Sequence, residues 1–102
     1  MSQRTFTSIV EPIKVTPSDT TVSVLVTDTA VLAANPARKL LIIKNLDTTN
    51  PVFVSLDGDA ADTDDMELGA KEGIVLDVAV PVTAIKAIAT GGTVKLYVSE
   101  GV

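Results

Sequence analysis

The chain has 102 residues, 8 Lys and Arg against 13 Asp and Glu for a net charge of −5, and no Cys, His or Trp. Those counts exclude a disulfide framework, thiolate chemistry, an ordinary zinc site and the commonest general base, and a chain this short fits one domain. With 15 Val, 7 Ile and 13 Thr, β-branched residues make up 35 of 102, so an all-β fold is expected. Hydrophobic residues reach 46%, with a mean hydropathy of +0.40. That is high for a domain whose small size turns much of its surface outward, and it points to apolar contact with another chain.

In chain order, Thr5 to Thr16 alternates weakly and is punctuated by Pro12 and Pro17. It reads as an extended arm or edge strand, residues 1–17, ahead of a single sandwich domain at 18–102. Thr20 to Thr27 alternates with period two, placing Val22, Val24 and Val26 on one face and Thr21, Ser23 and Leu25 on the other. Asp28 to Arg38 holds small residues and the turn pair Asn35-Pro36. In KLLIIKN the four residues Leu40 to Ile43 are apolar on both faces, as in a strand covered on two sides, with a neighbouring subunit as one possible cover. Asp47 to Pro51 then suits a loose hairpin into a strand at Val52 to Leu56.

Asp57 to Glu67 reads as a surface loop with room for one helical turn, followed by a short return at Met66 and Leu68 and the turn AKEG. Strands are expected at Ile74 to Val80 and Thr83 to Ala89, then a Gly91-Gly92 hairpin into Val94, Leu96 and Val98. Seven to eight short antiparallel strands at this spacing predict a β-sandwich or jelly roll. No apolar run is long enough for a membrane span, and the N-terminus lacks the pattern of a cleaved secretion signal, so the chain is expected to be made in a cytoplasm.

The densest cluster of charge is Asp57, Asp59, Asp62, Asp64, Asp65 and Glu67. Without them the chain has 8 basic and 7 acidic residues, so the net charge belongs to this loop. Calcium binding is one reading, but DGDAADTDD lacks the spacing of a helix-loop-helix calcium loop. A solvated loop that keeps an apolar protein from associating wrongly is the favoured one. Close carboxylates also suggest acid and base catalysis, but nothing here supplies the apolar pocket that raises a carboxyl pKa, so no catalytic, cofactor or metal residues are assigned. Scattered positive charge and a total of one Tyr and two Phe speak against reading DNA or RNA, and the shortage of aromatics weakens sugar binding.

The arm, TFTSIVEPIKVTP, carries Phe6, Ile9, Val10, Ile13 and Val15. It suits lying on a neighbour or adding a strand to its edge. For Ile13 and Val15, packing on the chain's own sandwich is the favoured reading, while for Phe6 and Ile9 assembly is favoured. Arg38 and Lys39 follow the Asn-Pro turn; they are either two solvated turn residues or partners for an acidic subunit. The candidate interface is thus Phe6, Ile9, Val10, Ile13, Arg38 and Lys39. Tyr97 reads as a cross-strand packing residue.

The segments NPARKLLIIKN, PVFVSLDG, LGAKEGIVLD and PVTAIKAIATGGTVKLYVSEG, in that order, resemble small structural proteins of tailed bacteriophages, notably head decoration or cement proteins. The resemblance runs from about Asn35 to Gly101 and departs at Ala70-Lys71-Glu72-Gly73 and in the acidic loop. It implies a sandwich subunit, often a trimer, that binds the major capsid protein on the outside of an icosahedral shell, without catalysis, cofactor, nucleic acid or membrane. The alternatives are a receptor- or sugar-binding module of a fibre or tail, and a calcium-dependent enzyme or adhesion domain.

Overall fold

In the computed structural model, residues 15–102 are described, and they form two four-stranded antiparallel sheets packed face to face with no helix. The strands are β1 (Pro17–Val24), β2 (Thr29–Leu32), β3 (Leu40–Asn45), β4 (Val52–Ser55), β5 (Met66–Leu68), β6 (Gly73–Leu76), β7 (Ile85–Ala89) and β8 (Val94–Gly101). The first sheet has the order β1-β8-β3-β6 and the second β2-β7-β4-β5. The chain is therefore an all-β sandwich, as its β-branched composition predicts.

Period-two alternation fills the space between the sheets. β8 turns Val94, Leu96 and Val98 inward, β3 turns Leu41 and Ile43 inward, and all five are essentially inaccessible. Val52, Val54, Leu68, Ile85, Ala87 and Ala89 meet them from the second sheet. Fully burying each Val, Leu or Ile is worth roughly 1.5–3 kcal/mol, which makes this face the main source of stability.

The expected strand at Ile74 to Val80 stops at Leu76, and three residues on Ala79 has a φ of 53°, outside the extended region, so the strand does not resume before Val80. The strand through Thr27 stops at Val24, and Leu25 and Val26 stand exposed where the chain leaves the sheet. There the Leu25 N–H donates to Thr29 Oγ1, and the Leu25 carbonyl accepts from the Ala89 N–H. β2 is not visible as a periodic segment. A register shift between Ala30 and Leu32 breaks its alternation, so four residues with a bulge give no period to read. Pro17, the expected end of the arm, is already the first residue of β1, and Thr16 exchanges hydrogen bonds with Val102 at 2.8 and 3.2 Å.

Two expected hairpins are inter-sheet crossings. Asp47 to Pro51 carries the chain from β3 in the first sheet to β4 in the second, and Gly91-Gly92 carries it back from β7 to β8. Turn-forming residues report local backbone shape, which serves a crossing over the roughly 10 Å between sheets as well as a hairpin. The two crossings also touch. A Cβ on Gly91 would lie 2.6 Å from Asn50 Oδ1, so a larger residue here would have to displace the Asn50 side chain.

Candidate interaction surface

Both ends of β3 are pinned by buried polar side chains. At its start, the Arg38 guanidinium is wholly inaccessible and pairs with Glu100, Nε to Oε1 at 2.7 Å. Its Nη1 donates to the carbonyls of Pro81 and Thr83 at 2.7 and 3.0 Å, and its Nη2 donates to Ala33 O at 2.9 Å. One side chain thereby joins the β2–β3 and β6–β7 connections to the end of β8. A planar fork of donors suits this role in a way a lysine ammonium does not.

Arg38 is thus neither a solvated turn residue nor a free cation held out to an acidic subunit. The reason is geometric: three carbonyls and a carboxylate converge where the Asn35-Pro36 turn delivers it. The same turn is held by Asn35 Oδ1 accepting from the Ala37 N–H, and by the Asn35 N–H donating to Val82 O. Lys39, one residue on, is exposed. Phe6, Ile9, Val10 and Ile13 lie outside the described residues.

An open groove of about 480 Å³ lies beside this cluster, lined by Val15, Arg38, Lys39, Leu40, Asp77, Ala79 and Val80. Its floor belongs to the outer face of the first sheet. Leu40 pairs with Gly101, so both point outward, and a Cβ on Gly101 would meet Leu40 Cβ at 3.0 Å and Val15 Cβ at 3.2 Å. Glycine here lets two apolar side chains close over the strand between them. Ile42 and Val75 continue the same outer face, paired across β3 and β6. The two-sided apolar character of Leu40 to Ile43 thus has a concrete origin: Leu41 and Ile43 fill the core, while Leu40 and Ile42 sit half-buried outside it.

Next to the groove, β6 and the β6–β7 connection present apolar side chains to solvent. Val75 is 62% exposed, Val78 81% and Val82 40%. Ala79, in the left-handed region, holds the chain in this displaced course. The strand expected at Ile74 to Val80 gives no sign of this surface. The signal available was Asp77, which interrupts the apolar run two residues before the backbone departs from β geometry.

The acidic segment is not a free loop throughout. Ala61 is buried, its N–H donates to Asp28 Oδ1 at 2.8 Å, and Thr83 Oγ1 donates to Leu56 O at 2.6 Å. Its acids instead serve local turns: Asp57 accepts from the Asp59 N–H and Ser55 Oγ, and Asp62 accepts from the Asp64 N–H. Among the described residues no group of three or more acids is placed to hold a metal ion. The Asp59 N–H first, and then the Ser55 hydroxyl, hold the Asp57 carboxyl below its ordinary value of 3.8. The Thr49 N–H and the Asn50 side-chain amide do the same for Asp47, more than offsetting its partial burial. These shifts come from turn geometry and do not mark acid-base pairs. Tyr97 faces outward between Thr21 and Lys44, and its hydroxyl donates to Asp19 at 3.2 Å across the β1–β8 pair.

No family model and no curated protein matches this chain. Among solved structures, it is similar to a chain from the work described as "Bacillus endospore appendages form a novel family of disulfide-linked pili". That likeness has 12% identity and a TM-score of 0.47, and covers 86% of this chain and 88% of the other.

Proposed function

We propose that this protein is a virion structural protein that binds the outside of an icosahedral capsid and acts by binding alone. The observation that supports the reading is the apolar outer surface at one end of the sandwich, where Val75, Val78 and Val82 stand exposed beside the groove at Leu40 and Ala79. Contiguous exposed apolar groups on a small domain are characteristic of a surface that meets another protein. The sequence resemblance to phage head decoration proteins supplies the kind of partner, the major capsid protein, and the trimeric state.

The mechanism needs no reaction. A subunit that binds the joints of the mature shell and not those of its precursor shifts the equilibrium toward the mature form. At a free concentration about 100 times Kd, each such binding event stabilises the shell by about 2.7 kcal/mol.

The test is cosedimentation of the purified chain with mature heads and with precursor shells. Retention on mature heads alone is the expected result. Equal binding to both, or to neither, removes the reading, and selective saturable binding on a glycan array in its place supports a fibre or tail receptor-binding module.

A further inference from the structure

We infer that the outer edge of β1 pairs with the same edge of a second copy of this chain, antiparallel and two-fold symmetric, with Thr21 on the axis. The inference goes beyond the capsid reading and does not depend on it, because a two-fold contact joins two single chains or two trimers alike.

Among the described strands four edges bound the two sheets, and three of them are short. β2 has four residues and a register shift, β5 has three residues and β6 has four. Short or bulged edges resist pairing with other chains. β1 differs: its eight residues keep unbroken register with β8, include no lysine or arginine, and are exposed from Pro17 to Thr21. Its Thr and Val residues suit a strand with a neighbour on each side.

Hydrogen-bond parity fixes which groups of β1 face that edge. Thr16 and Val102 exchange both bonds, so Ser18, Thr20, Val22 and Val24 direct their N–H and C=O groups at β8, while Asp19, Thr21 and Ser23 direct theirs away. The outward row is closed at both ends. Pro17 has no N–H, and Leu25 already has its N–H on Thr29 Oγ1 and its carbonyl on the Ala89 N–H. Three residues centred on Thr21 remain. A two-fold axis through Thr21 sets Asp19 opposite Ser23 of the second copy, Thr21 opposite Thr21, and Ser23 opposite Asp19. Every N–H and carbonyl of the row then finds a partner, which no other antiparallel register of these two edges achieves.

Charge selects the same register. Val24 is buried in the core, so Ser23, Thr21 and Asp19 project from the outer face. Lys95 is paired with Ser23 across β8, which puts Lys95, Ser23 and the second copy's Asp19 in one row across the joined sheets. The lysine and the aspartate are then about 10 Å apart at Cα, a gap their two exposed side chains can span over the small serine between them. One such pair forms on each side of the axis. A register centred on Asp19 instead sets two carboxylates against each other. The interface is isologous, so it closes on itself as a pair.

The test is sedimentation of full-length wild type, Thr21→Lys and Thr21→Glu, separately and mixed. Residue 21 is exposed, so neither change enters the core. Wild type is expected at an even number of copies, and each variant at half that number, because like charges meet on the axis. An equimolar mixture of the two variants is expected to regain the wild-type mass, since the introduced lysine then faces the introduced glutamate. A wild type with an odd number of copies overturns the inference; a monomer in particular leaves the edge to another occupant, the chain's own N-terminal residues included. Variants that keep the wild-type mass, or a mixture that stays at half of it, overturn it as well.

Discussion

The two ends of β3 solve the same problem with different chemistry. At Arg38 a buried charge gathers three carbonyls and Glu100. At Asn45, also buried, a neutral amide donates to the Asn50 and Leu68 carbonyls at 2.9 and 3.1 Å and accepts from the Asp47 N–H at 2.8 Å. The Asn45 end closes over compact crossings packed on one another, with Gly91 against Asn50. The Arg38 end borders the groove and the displaced Val78–Val82 segment. A neutral clasp suffices where loops already pack together; a guanidinium spans connections that leave apolar surface open between them.

If that contrast is right, the charged clasp is the more expensive to break. Arg38→Met leaves the Glu100 carboxylate and three carbonyls without their donor, and is expected to cost about 3–5 kcal/mol. That is a large share of the roughly 5–15 kcal/mol available to a domain, and it will be read as a fall in the urea midpoint at unchanged slope. Arg38→Lys keeps the charge but not the fork, so it should fall between wild type and Arg38→Met. Asn45→Ala strands two carbonyls and one N–H but no charged group, for an expected cost of about 1–3 kcal/mol. A greater loss at Asn45 than at Arg38 would reverse the comparison.

Smaller changes sharpen it. Ala79→Gly relieves a left-handed residue, and is expected to stabilise the fold by about 0.5–1 kcal/mol in thermal melts. If the melt falls instead, the course of the β6–β7 connection depends on the Ala79 methyl group and not on backbone shape. Least of all is Asp57→Asn. The Asp57 carboxyl is held below 3.8, so its contribution is fully present above that value and fades as pH falls through the native pKa. Wild type should therefore be the more stable at neutral pH, and melts of the two proteins should converge once the pH lies well below 3.8. A difference that persists there assigns the effect to something other than the carboxylate.

What was legible in the chain follows from which signals are local. Val94, Leu96 and Val98 alternate along a strand long enough to display the pattern, so β8 is readable from residues alone. β2 is not, because a bulge within four residues erases the alternation. Arg38 misleads for a deeper reason. A charged residue after a turn ordinarily lies in water, and its burial depends on carbonyls at Ala33, Pro81 and Thr83 and on Glu100, up to 62 positions away in sequence. Val78 misleads in the opposite sense: its apolar side chain suggests a strand interior, while Ala79 turns the backbone out. The acidic loop was legible as a loop, but not the single buried anchor at Ala61.

The route of the chain between the sheets also bears on how the molecule is made. Among the described strands, β4 to β5 is the one connection that stays within a sheet; every other passes from one layer to the other. Neither layer can be completed before its counterpart has begun, so no half of the sandwich is a stopping place on the way to the native state. Acquisition of structure is then a single cooperative event governed by distant pairings, in the millisecond-to-second range typical of such topologies.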